Sequence, residues 1–151
     1  MASTGDAKIE GWFPSLNRDD YEVTSPESLR YNCVAWAAGQ SDAWWEPIRG
    51  PGYFWPKGAP WDDRVESLIE VFRSLQFEVC DNAEPEPGFE KIAIFGDEGA
   101  YLHAARQVEG DRWTSKLGTY KDIAHKTLSA LAGPAPAFGE VVAIMRRPLS
   151  T

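Results

Sequence analysis

Two side chains in this sequence could do acyl or amide chemistry together. Cys33 lies in the run Tyr31-Asn32-Cys33-Val34-Ala35-Trp36-Ala37-Ala38-Gly39, and His103 lies far downstream in Tyr101-Leu102-His103-Ala104-Ala105-Arg106-Gln107. Asn32 is a good N-cap, the alanines favour helix and Gly39 suits a stop, so Cys33 is expected in a first helical turn. Unpaired N–H groups there favour a thiolate. A thiol nucleophile also needs a base, and the base needs an orienting partner. His103 alternates with its neighbours as a strand residue, so the sheet would aim it. The third group is expected on the next strand, over 112–117. A two-residue turn at Gly110-Asp111 would put Thr114 and Lys116 on the His103 side, whereas a three-residue turn would put Ser115 there. Gln107 shares the His103 side in either case. Ser115 and Lys116 therefore stand together as candidates for orienting His103.

The remaining titratable residues are weaker candidates. Cys80 ends a strand-like run and reads as structural. His125 falls in a helical pattern over 120–132, off the Ile123, Leu128, Leu131 stripe. Cys33, Cys80, His103 and His125 lack the local pairing of zinc ligands, so no metal is expected. Gly96-Asp97-Glu98-Gly99 is an acidic turn, and no phosphate-binding glycine loop or dinucleotide fingerprint occurs, so no cofactor is expected. The seven tryptophans matter more. Trp44, Trp45, Trp55 and Trp61 crowd a proline-rich stretch over 40–60 and its edge, where they either tie a long loop down or wall a groove. Asn32, Trp44, Trp45 and Trp55 are the candidates for touching a substrate.

These residues need a scaffold, and 151 residues with 43% hydrophobic content provide one domain with a real core. Residues 1–10 read as a loose tail and 11–28 as an irregular arm. A helix is expected over 62–76, where Val65, Leu68, Ile69, Phe72 and Leu75 recur at helical spacing. Strands are expected over 77–80, 91–95, 101–108, 112–117 and 139–146, with a hairpin turn at Glu109-Gly110-Asp111. Helices followed by a largely antiparallel sheet give an α+β domain. The net charge of −8 argues against a nucleic-acid backbone or an anionic membrane as partner. No apolar run has the length of a membrane span, and Met1 to Asp6 lacks the basic and apolar regions of a secretory signal. A cytoplasmic protein, or one exported without a signal, is expected. Two cysteines do not make a disulfide scaffold.

A Cys that opens a helix, a His on a later strand and a polar residue on the next strand resembles the papain-like fold in its NlpC-type arrangement. The matching segments are YNCVAWAAG, LHAARQ and RWTSKLG. Together with WWEP, PGFEKIAIF and GEVVAIMRRP, the pattern also resembles a family of uncharacterised bacterial single-domain proteins. The papain-like resemblance implies a Cys helix packed on a mainly antiparallel sheet. It also implies a thiol hydrolase or acyl/amide transferase acting on a peptide, amide or protein. Cys33 would attack a carbonyl, His103 would carry the proton, and Ser115 or Lys116 would orient His103. The alternatives are a non-catalytic binding module on the same scaffold, using the tryptophan-rich loop, and a toxin-like effector domain.

Overall fold

The strand-forming runs in the second half of the chain pair into one sheet, which recruits one short segment from the first half. The computed structural model describes residues 5–108 and 112–149. The turn expected at Glu109-Gly110-Asp111 lies outside the described residues. The sheet contains β1 (Tyr21–Ser25), β4 (Glu78–Val79), β5 (Phe89–Asp97), β6 (Ala100–Val108), β7 (Arg112–Lys116), β8 (Asp122–His125) and β9 (Glu140–Pro148). Their order is β1-β8-β7-β6-β5-β9-β4, and every neighbouring pair is antiparallel. Two-residue strands β2 (Trp44–Trp45) and β3 (Tyr53–Phe54) pair separately and parallel. The helices are α1 (Ala7–Trp12), α2 (Cys33–Ala37) and α3 (Val65–Arg73). The expected α+β class with an antiparallel sheet is what the chain adopts.

Both sides of the sheet are covered. Ile92, Ile94, Ala104 and Met145 pack with Val34 and Ala35 of α2, Leu68, Val71 and Phe72 of α3, and Trp45 and Trp55 of the aromatic loop. Ala93, Phe95, Ala105, Trp113 and Ile123 pack on the other side with Ile9 and Phe13 of the N-terminal segment and Leu131 and Ala137 near the C-terminus. We call these the helix side and the far side. Consecutive residues of β5 alternate between them, so the strand is buried as a continuous run rather than every second residue.

Three expectations need correction. Residues 1–10 are not all a loose tail. Asp6 caps α1 by accepting hydrogen bonds from the Lys8 and Ile9 amides, and its carboxylate also takes Tyr120 Oη at 2.7 Å and Lys121 Nζ at 2.9 Å. Ile9 is thereby carried into the far-side core. The arm over 11–28 contains strand β1. The helix expected over 120–132 is instead strand β8 followed by a 3-10 turn at Ser129–Leu131. Pairing of β8 with β7 on one side and β1 on the other overrides local helix preference. No helix among the described residues is long and apolar enough to cross a membrane.

Candidate functional site

Cys33 opens α2 as expected. The Asn32 Oδ1 caps the helix by accepting from the Ala35 amide at 3.1 Å. The same oxygen accepts from the Trp45 amide at 3.0 Å, and Nδ2 donates to the Trp45 carbonyl at 2.8 Å. Asn32 therefore clamps the aromatic loop to the helix start. The Cys33 sulfur is partly buried and packs at the edge of the helix-side core. Burial pushes its thiol pKa up to about 11, against the backbone hydrogen bonding of Ala104 and Val34, and the Glu46 carboxylate adds to the rise. The first turn does not lower the pKa here: loss of solvent outweighs the amides.

His103 does not meet Cys33. Val108 pairs with Arg112 and Gln107 with Trp113, so three residues connect β6 to β7. That register puts Ser115, not Lys116, on the His103 side. His103 Nε2 lies 2.8 Å from Ser115 Oγ, which lies 2.8 Å from His125 Nε2. His125 Nδ1 lies 2.9 Å from the Thr127 carbonyl. Burial holds His125 at about 4 and His103 well below the usual histidine range, so both rings are neutral near pH 7. A carbonyl only accepts, so Nδ1 of His125 carries its proton and Nε2 accepts from the Ser115 hydroxyl. Ser115 then accepts from His103 Nε2–H. His103 Nδ1 is left as a buried lone pair without a partner, beside the Phe138 ring, which stacks on the imidazole at 4.1 Å and 6°.

This chain belongs to the far side, among Phe95, Phe138 and Trp113, whereas Cys33 belongs to the helix side. No hydrogen bond joins Cys33 to His103 among the described residues. The nucleophile–base pair is not assembled, because α2 docks against Ala104 and the His103 side chain leaves the strand in the opposite direction. Ser115 is fully buried and reaches no substrate. His125, expected on the outside of a helix, is fully buried in β8. Its alternation with Ile123 was the signal for a strand. Gln107 donates to the Ala83 carbonyl at 2.7 Å, away from His103. Cys80 is a free thiol, with Sγ 3.6 Å from the Asn82 carbonyl.

Lys116 lies on the helix side. Its Nζ donates to the carbonyls of Ser28, at 2.8 Å, and Gly118, and sits 4.9 Å from the Tyr31 ring and 6.0 Å from the Trp44 ring. Asp122 Oδ2 accepts from the Tyr31 hydroxyl at 2.7 Å, and Oδ1 has no partner in the structure. Burial raises the Asp122 pKa and lowers that of Lys116, while the two charges act on each other in the opposite sense. Trp44, Leu29, Pro51, Gly52, Tyr53 and Thr119 line a cavity of about 330 Å³. Trp45 and Trp55 are not cavity residues. Both are buried anchors, and Trp55 donates to the Pro60 carbonyl and stacks on Tyr101. No group of three or more His, Cys, Asp or Glu side chains suited to a metal occurs among the described residues.

A family described as a domain of unknown function (DUF7689) matches residues 22–146. That span contains Cys33, the aromatic loop, Lys116, Asp122 and the buried histidines. No curated protein matches the chain, and no solved structure does.

Proposed function

We propose that this chain, which belongs to the DUF7689 family, is a ligand-binding module that uses its aromatic loop. The observation that carries this reading is the cavity of about 330 Å³ held open between Trp44, Tyr53 and Leu29. Asn32 clamps one end of the loop, and buried Trp45 and Trp55 tie it down. Leu29, Ile48, Tyr53, Phe54 and Trp61 nevertheless keep a third or more of their surface exposed. Exposed apolar side chains on this loop and at Leu29, beside a formed cavity, are a recognition surface. The partner is a peptide or protein segment that inserts one apolar or aromatic side chain. A Cys-bearing helix that precedes the β6–β7 hairpin and packs on it supports a papain-like scaffold. The two free thiols fit a reducing compartment such as the cytoplasm.

The test is a titration of ¹⁵N-labelled protein with N-acetyl amino-acid amides, reading the Trp44 indole resonance. Phenylalanine and leucine derivatives should shift it, Tyr53→Ala should abolish the shift, and Cys33→Ala should preserve it. If none of these compounds moves Trp44, the reading is wrong. A second reading, thiol chemistry, draws on Cys33 standing in a first helical turn with the Ala104 and Val34 amides at its sulfur. On that helix side Lys116, not His103, is the basic residue available to it. The pH dependence of iodoacetamide alkylation in a Cys80→Ser background separates the two. A midpoint near 11, unmoved by His103→Ala, favours binding, and a midpoint below about 8.5 favours thiol chemistry.

A further inference from the structure

Gly118 and Thr119 are consecutive residues of the β7–β8 turn, yet they line different cavities. Thr119 belongs to the aromatic-loop cavity of about 330 Å³. Gly118 belongs to a second cavity of about 210 Å³, with Trp12, Phe13, Leu117, Pro136 and Phe138. Phe13 and Leu117 are buried beneath it, Trp12 and Phe138 are half-buried, and Pro136 and Gly118 are exposed at its rim. Trp12, Phe13, Leu117 and Phe138 are far-side residues, whereas the aromatic loop is anchored on the helix side. This end of the sheet is therefore a ridge with an apolar cavity on each flank.

The ridge is held from both flanks. Gly118 takes the left-handed conformation, at φ 61°, that closes the turn. The Tyr120 amide donates to the Leu117 carbonyl at 2.8 Å, and the Leu117 amide to the Lys121 carbonyl at 3.1 Å. From the helix side Lys116 Nζ donates to the Gly118 carbonyl. From the far side the Tyr120 ring meets Trp12 edge-on at 5.4 Å and 80°, while its hydroxyl donates to Asp6. Cavities fixed in this way keep a constant spacing, so a ligand that enters both avoids the cost of ordering them.

Neither cavity is lined by a charged side chain, and the crest between them offers an exposed glycine backbone and the Thr119 hydroxyl. The matching ligand is apolar at both ends and hydrogen-bonding in the middle. A small ring fills one flank only. A hydrocarbon chain would strip water from the crest without replacing its hydrogen bonds. An extended peptide with two apolar side chains has the required make-up. Its backbone advances about 3.3 Å per residue, so anchors three positions apart reach about 10 Å, enough to cross a crest of two adjacent residues.

We infer that the partner is an extended peptide segment that straddles the Gly118–Thr119 ridge and seats one apolar or aromatic side chain in each cavity, with the two anchors three positions apart. This rests on the aromatic-loop reading and gives its partner a second anchor and a spacing.

Trp12 and Trp44 report on the two flanks separately. The experiment titrates the ¹⁵N-labelled full chain with N-acetylated, C-amidated Phe-Ala-Ala-Phe, Phe-Phe-Ala-Ala and Ala-Ala-Ala-Phe, reading both indole resonances. Phe-Ala-Ala-Phe should shift both with one dissociation constant, about tenfold or more below that of either control. Trp12→Ala should erase that advantage and leave the Trp44 shift. If this variant does not fold, the ranking of the three peptides on the natural sequence decides alone. Equal binding of all three, or a Trp12 indole that stays still while Trp44 moves, would overturn the inference and spare the aromatic loop. Shifts of both indoles on concentrating the chain without peptide would assign the ridge to a second copy, which overturns it too. If neither indole responds to any peptide or to the amino-acid amides, the loop reading itself falls.

Discussion

The two sides of the sheet handle buried polarity in opposite ways. On the far side, His103, Ser115, His125 and the Thr127 carbonyl form a directed chain in which each hydroxyl or N–H finds an acceptor. Its one loose end, His103 Nδ1, lies beside the stacked Phe138 ring. On the helix side, Lys116 and Asp122 stand opposite each other, each bonded to other partners, and Asp122 Oδ1 has no partner. A connected buried network of this kind rigidifies a core and specifies its packing. By that comparison the histidines, which look like the chemistry in the sequence, tie the far-side strands together, and the lysine and aspartate fasten the segment from Ser28 to Tyr31 on the helix side.

The largest expected effect tests the far side. Ser115→Ala removes the centre of the chain and leaves His103 Nε2–H and His125 Nε2 unmatched in the core. A stability loss of about 4 kcal/mol is expected in urea unfolding, because each orphaned buried group costs roughly 1–3 kcal/mol. A loss within about 1 kcal/mol would mean that the chain is not structural.

The pH dependence comes next. Folding lowers His125 from 6.5 to about 4, so between those values the unfolded chain holds a proton that the native protein excludes. Stability is therefore complete above about pH 6.5 and falls as pH drops towards 4, by roughly 3 kcal/mol for this residue alone. His103, depressed by burial in the same sense, steepens the fall. Asp6 is separable, because its pKa is lowered from 3.8 to about 2 and its contribution disappears only in that more acidic range. Stability curves for the natural sequence and His125→Gln, measured from pH 8 to 4, check the assignment. The variant should show the shallower decline.

Two smaller effects test the helix side. Asn32→Ala removes the α2 cap and both bonds to Trp45, for a loss of about 2 kcal/mol, and it should disorder the cavity enough to alter Trp44 fluorescence. Asn32→Asp keeps the cap but not the donor to the Trp45 carbonyl, so its loss should be intermediate. Cys33→Ala should change stability by about 1 kcal/mol or less and leave ligand binding intact. Loss of binding in Cys33→Ala at unchanged stability would instead bring the thiol into the site.

Local pattern carried a good deal of this. The Asn32-capped helix, the apolar stripe at Leu68 and Phe72, and strands β5, β6, β7 and β9 all follow from residue type and spacing within a few positions. Signals that depend on remote partners are not legible in the local pattern. Residues 122–125 sit within a helical stripe in the sequence, and nothing nearby announces their pairing with β1. The first ten residues looked loose because the partners that order Asp6, Tyr120 and Lys121, lie at the other end of the chain.

From the sequence alone came an α+β chain with a cysteine in a helical first turn, a strand histidine, and Ser115 or Lys116 beside it. Which way those side chains point was decided by tertiary structure. A strand sends successive residues to opposite sides, so a docking difference of one residue, Ala104 rather than His103 against α2, separates the nucleophile from its expected base. The same parity sends Ser115 to the histidines and Lys116 to the helix side. Local energetics are indifferent to that choice, because either parity satisfies the strand. Only the combined packing of both sides of the sheet selects one.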